Sequence, residues 1–478
     1  SRAAALLPQR VDVAIDAVSV APQSGDGLAF GPGALTARRD DARVALSFAT
    51  LPGADTTPLT LRADLPLADG DARVSLDGGP VALAHLGLSD GSFGLGDLDR
   101  ASLAGKAELV LSAKSDTLTF DVDLRARDLA LTQRRLAKDT LHGLHLGVRA
   151  RGSLDAAGAL RIDESDLSMD RAHVTVRGTV DLAPARAGTS LAIEIPRTDC
   201  QALLDSAPAA LVPTIQGVRM EGALAARARV AFTLAKLRDA SLDWDVDSSC
   251  KVTSVPSHLA RERFKRPFPH KLYSPKGEIR EETMGPGTAG WTPLAAMSRF
   301  LPISVVMTED GGVFRRDGFN RAQIKYAFQT DLAERRFARG ASTLTMQLAK
   351  NLFLSRDKVL ARKLEQIVLT LYLSQHFTKD EILELYLNVV EMGPDVYGVR
   401  AAAAHYFGKG PANLSLSESL FLASLLPSPV KLHGLKNPNG VPEAYTASFH
   451  HLMDLAKQSG LISEAEMEAG KAETIVFR

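Results

Sequence analysis

Cysteine is nearly absent: Cys200 and Cys250 are the only two in 478 residues. That count leaves open buried thiols in a reducing compartment and, in an oxidising one, a staple closing a loop of about fifty residues. No run of about 18 apolar residues occurs, so no stretch of the chain is expected to cross a bilayer as a helix. Net charge is missing too, with 56 Lys and Arg against 56 Asp and Glu. Tyrosine is lacking from the first 250 residues, where Phe30, Phe48, Phe93, Phe120, Phe232 and Trp244 are the whole aromatic content.

The zero charge conceals an asymmetry. Residues 1–250 hold 27 Lys and Arg against 33 Asp and Glu, and residues 251–478 hold 29 against 23. The second half should favour anionic partners, yet its balance of +6 is too modest to argue for nucleic acid. Charge and aromatic content together imply two differently built domains, and 478 residues exceed one ordinary core. The chain begins at Ser1 without Met, so an upstream anchor or signal is expected.

Residues 1–250 read as strand after strand. The stretches 42–48, 59–65, 118–126 and 173–182 alternate apolar and polar residues, and Gly, Asp or Pro clusters separate them. This is the period-2 pattern of antiparallel strands with one buried face. A loose unit recurs, as in Arg151-Gly-Ser-Leu-Asp and Arg177-Gly-Thr-Val-Asp, and favours a long open sheet over a compact sandwich. The carboxylates of this half fall at outward positions and form no catalytic constellation. In texture the half resembles the AsmA-like family of envelope proteins, whose sheets form grooves associated with lipid. Residues 251–285 read as a basic and aromatic linker, able to lie at a membrane surface or to pack its aromatics on a neighbouring domain.

From Trp291 the period becomes helical. Ser342 and Thr343 give an N-terminal cap signal before a helix whose Leu344, Leu348 and Leu352 mark a buried stripe. Thr343, Gln347, Lys350 and Asn351 share another face. In the segment 358–375, Leu360, Leu364, Ile367, Val368 and Leu371 are expected to face inward, with Lys358, Arg362, Glu365 and Gln366 on a polar face. Further helices are expected over 379–388, 401–407, 417–425, 442–460 and 464–472.

Two acids, a hydroxyl and amide face, and an Arg-Lys pair are what transfer of a sugar from a pyrophosphate needs. A carboxylate acts as general base on the acceptor hydroxyl, and cations hold the leaving pyrophosphate. The stretches 308–319, 340–351, 362–365, 382–388 and 423–429 resemble the five ordered motifs of the family 51 glycosyltransferases. These are the peptidoglycan transglycosylases of class A penicillin-binding proteins and of monofunctional enzymes. The resemblance implies a mostly α-helical, lysozyme-like domain over 286–478 behind the β-rich domain 1–250.

The resemblance also implies roles. Glu309 deprotonates the acceptor hydroxyl of lipid II, supported by Asp310. Ser342, Thr343, Gln347, Lys350, Asn351, Lys358, Arg362 and Lys363 contact substrate, with Lys350 on the donor pyrophosphate. Glu365 is the second acid, near the leaving group or a divalent cation such as Mg or Mn. Gly340, Glu384 and Asn388 belong to structural parts of the motifs. Where the family usually has an aromatic, His and Asp, this chain has Val313, Arg316 and Asn320. Ser355-Arg-Asp-Lys358 fits a transpeptidase Ser-x-x-Lys pattern, but no Lys-Thr-Gly follows.

An envelope polymerase of lipid II at the periplasmic face of the inner membrane is the leading expectation, its partners being lipid II, the growing glycan, the membrane surface or lipid, and other cell-wall synthesis proteins. In that compartment Cys200 and Cys250 are expected to pair. The alternative is a silenced transferase acting as an envelope scaffold or lipid-binding protein, motivated by the long sheet and the altered first motif. A lysozyme-like hydrolase is disfavoured, since hydrolases need a carboxyl pair around a glycosidic bond rather than a pyrophosphate cradle.

Overall fold

The computed structural model describes residues 8–15, 18–20, 28–30, 32–51, 57–86, 88, 90–183, 187–309, 321–334, 342–357, 359–436 and 440–478. Asp310, Gly340 and Lys358, and the altered positions Val313, Arg316 and Asn320, lie outside the described residues.

The first half is a 14-stranded antiparallel sheet running from Arg10–Ile15 at one edge to Ser241–Ser248 at the other. Among the described residues thirteen of its strands follow one another across the sheet in chain order, and the short Leu95–Gly96 pairs Thr117–Leu131 off that path. Alternation sorts the side chains by face. Phe48 pairs Leu61, Leu109 pairs Phe120, Leu124 pairs Val148, Val148 pairs Leu167, and Val230 pairs Leu242. On the opposite face Arg149 and Arg151 reach Asp123 and Asp121 across the strands, each at 3.0 Å. Leu61, Leu109, Val148 and Leu167 are exposed, so among the described residues no second layer covers this part of the apolar face. A small core of Leu83, Leu98, Leu129, Leu141 and Leu144 lies to one side.

The short helix α1 (Cys200–Asp205) follows, capped by Asp199. Cys200 and Cys250 are joined by a disulfide, with Cα atoms 5.8 Å apart.

Residues 251–285, expected as a linker, are folded into the second half. Lys251–Ser254 pairs Arg219–Glu221, and Phe268–Tyr273 forms a hairpin with Ile279–Met284. Phe268, His270 and Leu272 alternate inward and Phe264 is buried. These aromatics pack into the helical core and are not available to a membrane surface.

The second half is helical: α2 (Phe300–Glu309), α3 (Arg321–Glu334), α4 (Leu344–Phe353), α5 (Leu360–His376), α6 (Lys379–Val389), α7 (Gly398–Phe407), α8 (Leu416–Leu425), α9 (Pro429–Leu432), α10 (Glu443–Gln458) and α11 (Glu464–Ala472). Capping residues set several starts: the side chains of Thr343, Thr378, Ser415 and Ser463 accept backbone N–H bonds at α4, α6, α8 and α11. One continuous core joins Leu344, Leu348, Leu373, Tyr386, Tyr406 and Phe421 to Val212, Ile215, Val218 and Val252. Among the described residues no helix is long and apolar enough to cross a membrane.

The expected facing of α5 holds for Val368 and Leu371, which pack against the core, and fails for five others. Leu360, Leu364 and Ile367 are exposed, while Glu365 and Gln366 are buried at 4% and 1% exposure. Periodicity counts apolar residues, and here the polar ones have partners waiting: Gln366 Nε2 donates to Met346 O at 2.6 Å, and Glu365 accepts from Thr214.

Candidate active site

Glu309 is the last residue of α2, whose Leu301, Ser304 and Val305 are buried against the core. On α4, Thr343 caps the helix and Leu344 and Leu348 anchor it, which turns Gln347 toward α2. Gln347 Nε2 donates to Glu309 Oε2 at 2.6 Å. From α6 the Tyr386 hydroxyl donates to Gln347 Oε1 at 2.9 Å. The relay Tyr386–Gln347–Glu309 thus orients one carboxylate oxygen through a neutral amide. Tyr386 is fully buried, and burial first and the Glu309 charge second push its hydroxyl well above the usual tyrosine range. Its hydroxyl is the donor at the buried end of the relay.

Lys350 stands one turn beyond Gln347. Burial pulls its ammonium below the ordinary lysine value, Arg362, Arg356 and Lys363 lower it further, and Glu309 opposes them. Lys363 is lowered by burial and then by Arg362, and its Nζ lies 3.0 Å from Gln366 Oε1. Arg362 Nε is buried and has no hydrogen-bond partner among the described residues. Crowded cations with an unmatched donor form a site that an anion would satisfy. Ser342, just before α4, and Asn351, in its last turn, are half-buried, and Thr343 is buried as the cap.

Glu365 stands apart from this cluster. Its Oε1 accepts the Thr214 N–H at 2.5 Å, from the turn Pro213–Ile215 of the first half. Burial raises its carboxyl above the usual carboxylate range, and donors from Thr214 and Ile215 hold it part-way back. Ligands for Mg or Mn are oxygens, whereas this carboxylate faces N–H and O–H donors. The donors around Glu365 do not fit a divalent cation, and no group of three or more His, Cys, Asp or Glu that could hold one occurs among the described residues.

Glu384 and Asn388 brace the backbone before α2. Glu384 accepts Trp291 Nε1 at 3.1 Å and the Leu294 N–H at 2.8 Å. Asn388 exchanges two bonds with Thr292, each at 2.8 Å. Two residues escaped the reading of the sequence. Tyr386 looked like one more apolar position of its helix. Arg356 lay inside the discarded Ser-x-x-Lys pattern, yet its Nη2 reaches Glu391 Oε2 at 2.6 Å and the Tyr397 hydroxyl at 2.9 Å.

Residues 277–453 match the family described as Transglycosylase. Over 139 residues the chain is 42% identical to a biosynthetic peptidoglycan transglycosylase of Nitrosomonas eutropha, covering 29% of this chain and 57% of that one. A biosynthetic peptidoglycan transglycosylase of Aeromonas hydrophila is 43% identical over 139 residues, 29% of this chain and 59% of its own. The chain therefore spans somewhat more than half the length of these relatives. A crystal structure of penicillin-binding protein 1A from Haemophilus influenzae, 22% identical, covers 45% of this chain and 22% of its own at a TM-score of 0.23, too low to bear on the fold. A Cupriavidus necator protein named as a transglycosylase is 34% identical over 191 residues, 40% of this chain and 80% of its own. Coverage of four fifths of that relative's length at 34% identity places the chain in the transglycosylase family.

Proposed function

We propose that the chain is a peptidoglycan glycosyltransferase that polymerises lipid II into β-1,4 glycan strands. The observation that carries this reading is the Tyr386–Gln347–Glu309 relay beside the cations Lys350, Arg362 and Lys363. Glu309 takes the proton of the acceptor 4-hydroxyl. The freed oxygen forms a bond to the donor's anomeric carbon as the bond from that carbon to the pyrophosphate breaks, with inversion. Lys350, Arg362 and Lys363 stabilise the charge arriving on the lipid pyrophosphate. Asp310 supports the base, Ser342, Thr343, Asn351 and Lys358 complete the substrate contacts, and Glu365 serves the leaving-group side.

The β-rich half is read as AsmA-like, with its uncovered apolar face receiving lipid chains. The place of action is the outer face of the cytoplasmic membrane, among other cell-wall synthesis proteins. Incubation with lipid II tests the transferase reading: the parent is expected to form glycan chains and Glu309→Gln to lose at least about a hundredfold in rate. Equal polymerisation by both would sink it. The burial of Glu365 favours a second reading, a silenced transferase serving as a scaffold. Robust polymerisation by the parent removes that one.

A further inference from the structure

Glu365 belongs to the third motif, yet its surroundings come from the other half of the molecule. Oε1 accepts the Thr214 N–H at 2.5 Å, and the Thr214 hydroxyl and Ile215 N–H also act on the carboxylate. At 4% exposure it is solvated by these donors rather than by water. The first half also completes the start of α5. The N–H groups of Leu360 and Ala361, which have no partner within the helix, bond to Arg135 O at 3.0 Å and Leu136 O at 2.9 Å.

This contact is built to stay closed. Val212, Ile215, Val218 and Val252 share a core with α5 and α6. Gln375 on α5 clasps the neighbouring strand through both amide atoms, accepting from Val252 N and donating to Cys250 O, each at 2.9 Å. The disulfide ties the flanks of the segment together. Opening here would put a fully apolar core into water, so the geometry speaks for a fixed positioning contact and against a latch.

We propose that the turn Pro213–Ile215 is a positioning element of the glycosyl-transfer site, so that the N-terminal half supplies the groups that fix the Glu365 carboxylate. This role rests on the transglycosylase reading above. Charged groups on the elements packed around Glu365 are Arg362 and Lys363 on α5, Lys350 on α4, Lys251 on the strand Lys251–Ser254, Arg135 at the helix start and His258, whose Nε2 lies 3.0 Å from Thr214 O. The bonds that reach the carboxylate come from the turn. Weakening them leaves burial less opposed, and the carboxyl then keeps its proton to higher pH.

The test uses the full chain with ¹³C-labelled glutamate, the Glu365 resonance being assigned with Glu365→Gln. Thr214→Val keeps shape and N–H but loses the hydroxyl, and Thr214→Ser restores it. In Thr214→Val the Glu365 titration is expected to move to higher pH. Its kcat on lipid II is expected to fall roughly tenfold with KM little changed, and the acid limb of the kcat profile to follow the titration. Thr214→Ser should reverse all three. A folded Thr214→Val with unmoved titration and acid limb overturns the proposal. A parent inactive on lipid II sinks the transferase reading instead, and the titration alone then decides the contact.

Discussion

Lys350 illustrates how single residues of this site set stability against chemistry. Its folded pKa lies below 10.5, so between that folded value and 10.5 the unfolded chain binds more protons than the native one. Stability from this group therefore rises with pH through that window, because losing the proton relieves desolvation and the push of Arg362, Arg356 and Lys363. Lys350→Met is expected to raise the melting temperature at neutral pH by on the order of a few degrees while abolishing polymerisation, measurable by calorimetry beside a lipid II assay. Tyr386→Phe should act through the relay instead. It leaves Gln347 Oε1 without its donor, so kcat is expected to drop with KM nearly constant. Gln347 and Lys350 were legible from spacing of three on one helix face. Tyr386 was not, since a tyrosine within an apolar helix reads as core until its hydroxyl is seen. The partner of Glu365 was beyond reach of any local pattern, lying 151 residues away.

At the scale of elements, α6 holds the backbone leading into α2, and with it the position of Glu309. Glu384→Ala strips partners from Trp291 Nε1 and the Leu294 N–H. The expected loss is roughly 2–4 kcal/mol of stability, read from denaturant unfolding, with activity falling even in the folded fraction. Gly398 opens α7 at φ +76°, and a Cβ there would stand 2.4 Å from Asn388 O. Gly398→Ala should therefore disturb the same brace. Helix positions were readable because capping residues and apolar spacing coincide: the expected 464–472 matches Glu464–Ala472, and the expected 401–407 ends where α7, Gly398–Phe407, ends. The facing of α5 was readable at Val368 and Leu371 but not at its start, where Leu360, Leu364 and Ile367 are exposed while Glu365 and Gln366 are buried by bonds to distant backbone.

For the whole molecule, the change in composition near residue 250 falls close to where the large sheet ends at Ser248. The core of the second half takes in residues from 212 onward, together with Leu259, Phe264 and Phe268. A chain of residues 200–478 is expected to stay monomeric and to melt cooperatively. One of residues 286–478, lacking Ile215, Val252 and Phe268, is expected to aggregate, which size-exclusion chromatography would resolve. Reduction of Cys200–Cys250 releases a loop of 50 residues and should cost about 2–5 kcal/mol, seen as a lower melting temperature with dithiothreitol. Strand alternation made the sheet legible, and of the two readings left open for 251–285 the packing of its aromatics on a neighbouring domain is the one the core realises.

The sharing of one core between residues 212–252 and the helices has a consequence for the timing of synthesis. Neighbouring strands of the sheet are close in sequence, so each can pair soon after it is made. Val212, Ile215, Val218 and Val252 cannot finish burial then, because α4 to α8 are still unmade, and the core closes only when Ile475 and Phe477 arrive. For more than two hundred residues of elongation a sticky apolar surface therefore waits at the end of a completed sheet. The crosslink at Cys200 and Cys250 keeps that waiting surface in its final shape, ready as a template onto which the transferase helices condense.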